Sequence, residues 1–209
     1  MARMSSTDRR VELVHAALRV IAAKGVAAAT TRAIVAEAGM SLASFHYAFT
    51  SRDEMMRELI AYVVENETVA AVDSIPAGGD IRSIIEEAMR AYLKLLIDNP
   101  GHEQVMFELM HYAVRTPGLE ALATEQYERY RAAVSELLEG AATLTGVTWS
   151  MPVNEIARIV VTYTDGFSLA WLSDRDDAAA ERVIVFAAES LSRLAVSATQ
   201  TSDSATPVR

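Results

Sequence analysis

Hydrophobic residues recur at three- and four-residue intervals along most of the chain, which is the spacing of one face of an α-helix. In the first such segment Val11, Val14, Leu18 and Ile21 follow this spacing, and Gly25 comes directly after them as a helix stop. No stretch alternates cleanly between apolar and polar residues over four or more positions with enrichment in β-branched side chains. The pattern therefore predicts an all-α protein.

Proline, glycine and capping residues divide this pattern into about nine helices, of which the first three are compact and the later ones longer. The helices are predicted at about residues 8–24, 30–38, 42–48, 52–72, 81–98, 103–115, 117–144, 152–173 and 178–196. We predict loops at 75–79 and 99–101, and a disordered tail over 198–209. Residues 1–52 are expected to form one domain and 53–197 a second.

The composition suits a protein with a sizeable core, because 51% of the 209 residues are hydrophobic. The chain has no cysteine, which excludes disulfides and thiolate chemistry and fits a reducing, cytoplasmic setting. The most membrane-like run, residues 156–172, contains Arg158 and Asp165 and is short for a span. We therefore expect a buried helix there and no association with a membrane.

Charge is distributed unevenly along a chain whose net charge is −9. Residues 1–52 hold seven Lys/Arg and three acids, a net of +4, whereas the remainder holds 12 Lys/Arg and 25 acids, a net of −13. A basic N-terminal segment attached to an acidic body is expected when only the first part contacts phosphates.

The segment from Thr30 to Met55 has the pattern of a helix-turn-helix. Two short helices are joined by Ala38-Gly39-Met40-Ser41, where glycine supplies a turn conformation that other residues reach at a cost. The apolar positions Ile34, Val35, Ala38, Met40, Phe45 and Phe49 are predicted to pack on the first helix. The side chains of Leu42, Ala43, Ser44 and Tyr47 are predicted to face outward, where a recognition helix enters the major groove.

These residues resemble the TetR family of bacterial regulators. The resemblance rests on Ile34, Ala38-Gly39-Met40-Ser41, the run Phe45-His46-Tyr47-Ala48-Phe49, and Ser51-Arg52-Asp53-Glu54-Met55. It covers about 50 N-terminal residues. It implies an N-terminal three-helix DNA-binding domain, a C-terminal helical domain for ligand binding and dimerisation, and repression as the usual mode.

The resemblance also implies roles for individual residues. Phosphate contacts are expected from Thr31, Arg32 and Arg52. Hydrogen bonds to the DNA backbone are expected from Ser41 and Ser44. Base contacts are expected from Leu42 and Ala43, with Leu42 against a thymine methyl. His46 stands where the family usually has tyrosine, so the phosphate contact is assigned to either His46 or Tyr47.

Large adaptable side chains recur at helical spacing in the acidic body, and such residues line pockets for apolar ligands as well as ordinary cores. For any one of them the core interpretation is favoured. The candidates for binding a small, largely apolar effector are Tyr62, Met89, Tyr92, Met106, Phe107, Met110, Tyr127, Tyr163 and Phe167.

The last two helices carry apolar residues on more than one face and are the predicted homodimer interface. A dimer places two recognition helices about one DNA turn apart, which implies a roughly palindromic double-stranded operator. We hypothesise that the effector moves the long fourth helix and changes this spacing. The interface residues are expected among Val160, Val161, Leu169, Leu172, Val183, Val185, Phe186, Leu191 and Leu194.

The main alternative is a helical di-iron carboxylate protein. Two Glu-x-x-His motifs, Glu12–His15 and Glu108–His111, have the spacing that such bundles use. The first of these motifs lies in a charged segment that is already part of the helix-turn-helix. No phosphate loop, dinucleotide fingerprint or zinc-protease motif occurs, so no enzyme activity, metal or cofactor is expected.

Overall fold

The computed structural model describes residues 5–72 and 78–197, with the backbone alone over 64–72. Within these ranges the chain forms nine α-helices, a 3-10 turn at Val26–Ala28 and two short strands. The helices are α1 (Ser6–Lys24), α2 (Thr31–Glu37), α3 (Leu42–Ala48), α4 (Arg52–Val72), α5 (Ile81–Asp98), α6 (Pro100–Arg115), α7 (Glu120–Thr145), α8 (Val153–Asp174) and α9 (Asp177–Ser192). The predicted helical fold is confirmed. The predicted tail and most of the predicted loop at 75–79 lie outside the described residues.

Side-chain caps begin several helices at the predicted residues. The Thr30 hydroxyl accepts from the Ala33 N–H at 3.2 Å, and the Ser41 hydroxyl accepts from the Ser44 N–H at 3.2 Å. Asp80 caps α5 in the same way. These bonds satisfy N–H groups that a helix leaves without partners in its first turn.

Two proline segments differ from their predictions. Residues 99–101, predicted to be a turn, open α6 instead, because proline at the first helical position loses only an N–H that would have no partner. Residues 116–118, predicted to begin a helix, precede it instead, and α7 begins at Glu120 rather than at Pro117. Gly118 there has a φ of +85°, a conformation that interrupts a right-handed helix.

A short antiparallel strand pair lies near the C-terminus, where only helix was predicted. Strands β1 (Val147–Trp149) and β2 (Ala195–Ser197) pair in register, so that α9 ends at Ser192 and not near Val196. The Trp149 indole N–H donates to the Leu138 carbonyl at 3.2 Å and holds this pair against α7. Strands of three residues are too short to show an alternating pattern, which explains why the sequence did not reveal them.

The first compact unit contains the described residues up to Asn66 together with Asn99–Tyr127. Its α1 packs against α2, α3 and α6. In the same unit α6 also packs on the 3-10 turn that follows α1. Its fully buried large side chains include Leu13, Ile21, Ile34, Phe45, Phe49, Met55, Met56, Leu59 and Leu109.

The second compact unit contains residues 67–98 and those from Glu128 onward. Here α5 packs along α9, and α8 packs against both. The buried core of this unit includes Ile85, Met89, Leu93, Leu96, Leu138, Ile156, Phe167, Trp171, Ile184 and Leu191.

Candidate DNA-binding site and effector-binding residues

The turn between α2 and α3 has the geometry of a helix-turn-helix. Gly39 has a φ of +65°, and the next N–H, that of Met40, donates back to the Val35 carbonyl at 2.8 Å. Ser41 then caps α3, and its hydroxyl also bonds that of Ser44 at 3.0 Å. The predicted turn and the predicted start of the recognition helix are confirmed.

Helix α3 has one buried face and one open face, as its sequence predicts. Phe45 and Phe49 are about 1% exposed and pack 5.6 Å apart, ring centroid to centroid, in the core of the unit. By contrast Tyr47 is 66% exposed and Leu42 is 43% exposed. Of the other predicted contact residues, Arg32, Ser41, Ala43 and His46 are exposed, and Thr31 and Ser44 are half-buried.

A polar groove of about 570 Å³ runs between the start of α1 and the start of α3. It brings four of the predicted contact residues together with the N-terminal end of the first helix. Its lining is Ser5, Ser6, Arg9, Ser41, Ala43, Ser44 and Tyr47.

Arg9 is a candidate contact residue that the sequence motif did not single out. Its guanidinium carbon lies 5.0 Å from the centroid of the Tyr47 ring. This stacking places a cation beside the exposed phenol of the recognition helix. The only sequence signal for Arg9 is its membership in the basic N-terminal segment.

Arg52 directs its guanidinium to partners within the protein. Its Nε–H donates to the Ala29 carbonyl at 2.7 Å and an Nη–H donates to the Val26 carbonyl at 3.1 Å. A further Nη–H donates to the Tyr112 hydroxyl on α6. At least three of the five guanidinium N–H groups are therefore used inside the protein, and we withdraw Arg52 from the DNA-contact set.

Arg10 joins α1 to the start of α4. Its guanidinium donates to the carboxylates of Glu54 and Glu58 and lies 4.2 Å from the centroid of the Phe49 ring. Hydrogen bonds from the Thr50 hydroxyl and N–H, followed by those from Arg10, lower the pKa of Glu54 from 4.5 to about 2. The predicted capping of α4 is also present, since the Ser51 hydroxyl accepts from the Glu54 N–H at 3.0 Å.

The predicted effector-binding residues divide between the two compact units. Tyr62, Met106, Phe107, Met110 and Tyr127 belong to the first unit, and Met106 is buried while the others are half-buried. Tyr62 packs edge-on against His15, with ring centroids 5.0 Å apart.

In the second unit the predicted residues are part of, or packed against, the core. Met89 and Phe167 are buried core residues, and Tyr92 and Tyr163 pack against this core. The Tyr92 ring lies edge-on to Phe167 at 5.7 Å, and the Tyr92 and Ser168 hydroxyls are 3.2 Å apart. Aromatic faces and hydroxyls thus occur together on α5 and α8, the combination that suits an aromatic ligand with polar atoms.

A small cavity of about 190 Å³ opens between α8 and α9, next to exposed apolar side chains. Its lining includes Tyr163, Gly166, Phe167, Trp171 and Val183. Exposed large apolar residues on these two helices are Ile159, Leu169, Val183 and Phe186. Of the other residues predicted for the dimer interface, Val161 and Leu191 are buried, and Val160, Leu172, Val185 and Leu194 are half-buried.

The two Glu-x-x-His motifs make other contacts. Glu12 pairs with Arg19 at 2.9 Å, and the Glu108 carboxylate accepts from the Val26 N–H at 2.6 Å. His111 is exposed. Among the described residues, no group of three His, Asp or Glu side chains has the geometry of a metal site.

None of the protein's helices combines the length and the apolar composition needed to cross a membrane, over the residues that the structure describes.

The fold and the open face of α3 define a DNA-binding regulator of the helix-turn-helix class. Two family models match the chain: "Bacterial regulatory proteins, tetR family" over residues 13–59 and "BetI-type transcriptional repressor, C-terminal" over residues 81–196. The second match alone covers more than half of the chain. The chain therefore belongs to the TetR family, and it is a ligand-responsive transcriptional repressor.

Individual relatives agree with this assignment. The chain is 31% identical over 175 residues to the nicotine-responsive transcriptional repressor HdnoR of Paenarthrobacter nicotinovorans, covering 84% of this chain and 89% of that protein. It is 26% identical to the multidrug binding protein EbrR complexed with ethidium, with a TM-score of 0.66 and coverage of 90% and 98%. A transcriptional regulator from Rhodococcus sp. Rha1 has the same fold, with a TM-score of 0.72, 20% identity and coverage of 89% and 97%. The comparisons give the di-iron alternative no support.

Proposed function

We propose that the protein binds a palindromic operator in the cytoplasm as a homodimer and releases it when a cationic nitrogen heterocycle binds. The observation that carries the proposal is the exposed face of α3, where Leu42 and Tyr47 stand open beside a buried face that fixes their position. The proposed contact residues are Arg9, Thr31, Arg32, Ser41, Leu42, Ala43, Ser44, His46 and Tyr47.

These residues divide by the kind of contact they make. Arg32, Tyr47 and Arg9 are proposed to bind phosphates, since cations and hydroxyls give affinity that does not depend on sequence. Leu42 and Ala43 are proposed to face base edges, since small and aliphatic side chains contact the thymine methyl and allow close approach. Ser41 holds α3 at its N-terminus, where a helix favours an anion.

Dimerisation is proposed to use the exposed apolar side chains of α8 and α9. Leu169 and Phe186 are 60% and 63% exposed, and exposed apolar patches on a folded protein mark interaction surfaces. A second copy of the same surface would cover them and would place two α3 helices on successive major grooves.

The effector class is proposed from chemistry and from the relatives. The body from residue 53 onward has a net charge of −13, which attracts cations. Tyr92, Tyr163 and Phe167 supply aromatic faces, on which a cationic ring stacks favourably. Nicotine and ethidium, named for the relatives, are both nitrogen heterocycles with a positive charge at neutral pH.

Operator binding is tested by selecting duplexes from random DNA and measuring the affinity of the selected duplex at several salt concentrations. Arg9→Gln is expected to weaken binding and to lower the slope of log K against log salt by about 0.9, the value for one lost phosphate contact. Arg182→Gln, which removes a positive charge from an exposed position on α9, is the control and leaves the slope unchanged. An unaltered slope for Arg9→Gln would remove Arg9 from the contact set.

The effector is tested by titrating nicotine and ethidium into the protein–operator complex, with benzoate as an anionic aromatic control. Saturable release of the operator by a cationic compound, and none by benzoate, supports the proposed class. A compound shown to bind at saturation that leaves operator affinity unchanged would contradict the mechanism of release.

A further inference from the structure

Four residues join α6 to the turn that precedes the helix-turn-helix, and we call them the Arg52 cluster: Val26, Arg52, Glu108 and Tyr112. All four belong to the first compact unit. Glu108 and Tyr112 lie on α6 four residues apart, so both point from the same side of that helix. The Glu108 carboxylate binds the Val26 N–H, and the Tyr112 hydroxyl binds the Arg52 guanidinium.

The same guanidinium also binds the turn. Arg52 donates to the Val26 and Ala29 carbonyls, and the Tyr112 ring centroid lies 5.0 Å from its guanidinium carbon. Val26 is thus held at both its N–H and its carbonyl, by a carboxylate and by a guanidinium. Hydrogen bonds to charged groups are about twice as strong as neutral ones, so these contacts fix the turn firmly.

The turn is the direct support of α2. Ala29 is followed by Thr30, whose hydroxyl caps α2, and α2 leads through Gly39 into α3. A displacement of Val26 or Ala29 would therefore move the start of the helix-turn-helix relative to α1. Gly25 adds a second constraint, since a Cβ there would lie 3.1 Å from a Glu108 oxygen, and its φ of +79° favours glycine.

We infer that Glu108 and Tyr112 are positioning residues for operator binding, which hold α2 and α3 in the DNA-binding arrangement through Val26 and Arg52. Neither residue lines the polar groove beside α3. The inference rests on the proposed operator contacts and assigns to α6 a direct effect on them. It also gives the Glu108-x-x-His111 motif a function without metal.

The test uses the full-length protein and its selected operator, with affinity measured across a series of salt concentrations. Tyr112→Phe removes one oxygen atom, and Glu108→Ala removes the acceptor for the Val26 N–H. Each is expected to weaken operator binding about tenfold, within the range usual for coupling between separate sites. The slope of log K against log salt is expected to stay at the wild-type value, because no phosphate contact is lost.

Charge makes the Glu108 variants especially informative. Removal of a negative charge would by itself strengthen binding to DNA, so weaker binding by Glu108→Ala runs against the electrostatic expectation. Glu108→Gln has the same charge as Glu108→Ala but keeps an oxygen that accepts from Val26. It is expected to bind within about threefold of wild type, a difference of at most about 0.7 kcal/mol.

Arg52 separates the inference from the alternative that this residue binds phosphate. Under the inference Arg52→Gln weakens binding with an unchanged salt slope, and adding Tyr112→Phe weakens it no further, because the two residues act through one contact. A slope smaller by about 0.9 in Arg52→Gln would identify a phosphate ligand and overturn the inference.

Controls distinguish the failure of this inference from failure of the proposed function. Tyr130→Phe on α7 is a matched change away from the Arg52 cluster and is expected to bind like wild type. If wild type binds its operator and Tyr112→Phe and Glu108→Ala bind equally well, the inference is wrong and the proposed function stands. If wild type binds no duplex, the proposed function itself fails.

Discussion

Single side chains in the first unit have two different tasks, and their hydrogen bonds distinguish them. Arg10 and Arg52 direct their guanidinium groups to carboxylates, carbonyls and a phenol within the protein. Arg32 is exposed, and Arg9 stacks on Tyr47 at the open groove. The basic charge of residues 1–52 is therefore only in part available to DNA, and a count of charges overstates the number of phosphate contacts.

Glu54 gives a prediction about pH. Its folded-state pKa is about 2, below the ordinary 4.5, although 32% of its side chain is exposed. A lowered carboxyl pKa contributes stability that is present above pH 4.5 and is lost as the pH falls towards 2. We expect the free energy of unfolding of wild type to fall more steeply through this window than that of Glu54→Gln.

Urea unfolding at a series of pH values measures this difference. Glu125→Gln on α7 makes the same change of charge at an exposed position and is expected to keep the wild-type pH dependence. Parallel curves for wild type and Glu54→Gln would show that the hydrogen bonds from Thr50 and Arg10 do not lower the Glu54 pKa.

At the scale of elements, the turn after α1 restricts the residue type more strictly than the helices that it joins. Gly25 has φ +79° and ψ 165°, a region that is almost restricted to glycine. Gly25→Ala is expected to cost about 1–3 kcal/mol of unfolding free energy from backbone strain. In addition, the new Cβ would crowd the Glu108 carboxylate at 3.1 Å.

Gly140→Ala is the matched change in a helix. A Cβ at Gly140 would meet no atom within 4 Å among the described residues, and alanine there removes backbone freedom from the unfolded chain. This variant is expected to be more stable than wild type by about 0.5–1 kcal/mol. Chemical denaturation of both variants checks the pair, and equal effects would show that the conformation at Gly25 is not restrictive.

Local chemistry explains which elements the sequence predicted. Ser41 and Thr30 cap helices through N–H groups three residues away, so sequence neighbours alone determine the result. Pro100 begins a helix and Pro117 does not, because Gly118 after Pro117 has a positive φ. The spacing of apolar residues did not distinguish these two cases. Strands β1 and β2 pair residues almost 50 positions apart and are too short to have a period.

In the candidate site too, the features that depend on neighbouring residues were predictable and those that depend on distant residues were not. The exposed face of α3 follows from the helical period, because Phe45 and Phe49 occupy the opposite face. The role of Arg52 does not follow from the motif, since its partners Val26, Ala29 and Tyr112 lie 23 to 60 residues away. Contacts of that range depend on tertiary packing.

At the scale of the whole molecule, the exposed apolar side chains of α8 and α9 predict the oligomeric state. Phe186→Glu and Leu169→Glu place charges on the proposed interface and are expected to convert the dimer to monomers, because an unpaired charge is costly to bury. The helical circular dichroism signal is expected to stay at the wild-type value, since both side chains are exposed in the single chain. Sedimentation equilibrium measures the change.

Leu144→Glu, at a position on α7 that is 62% exposed, is the matched control and is expected to remain dimeric. Operator affinity is expected to fall in the two interface variants. Two separate monomers bind the half-sites independently, whereas in a dimer the binding of one half-site raises the effective concentration at the other. A Phe186→Glu protein that sediments as wild type would place the interface elsewhere.

The most direct test of the central claim is the operator affinity of wild type, Tyr47→Ala and Arg32→Ala, measured by fluorescence anisotropy on a duplex selected from random DNA. We predict saturable, salt-sensitive binding by wild type, and loss of that binding in both variants while they remain folded and dimeric. Leu144→Ala is expected to bind as wild type. Absence of salt-sensitive binding to any duplex, or wild-type affinity in Tyr47→Ala and Arg32→Ala, would contradict the account.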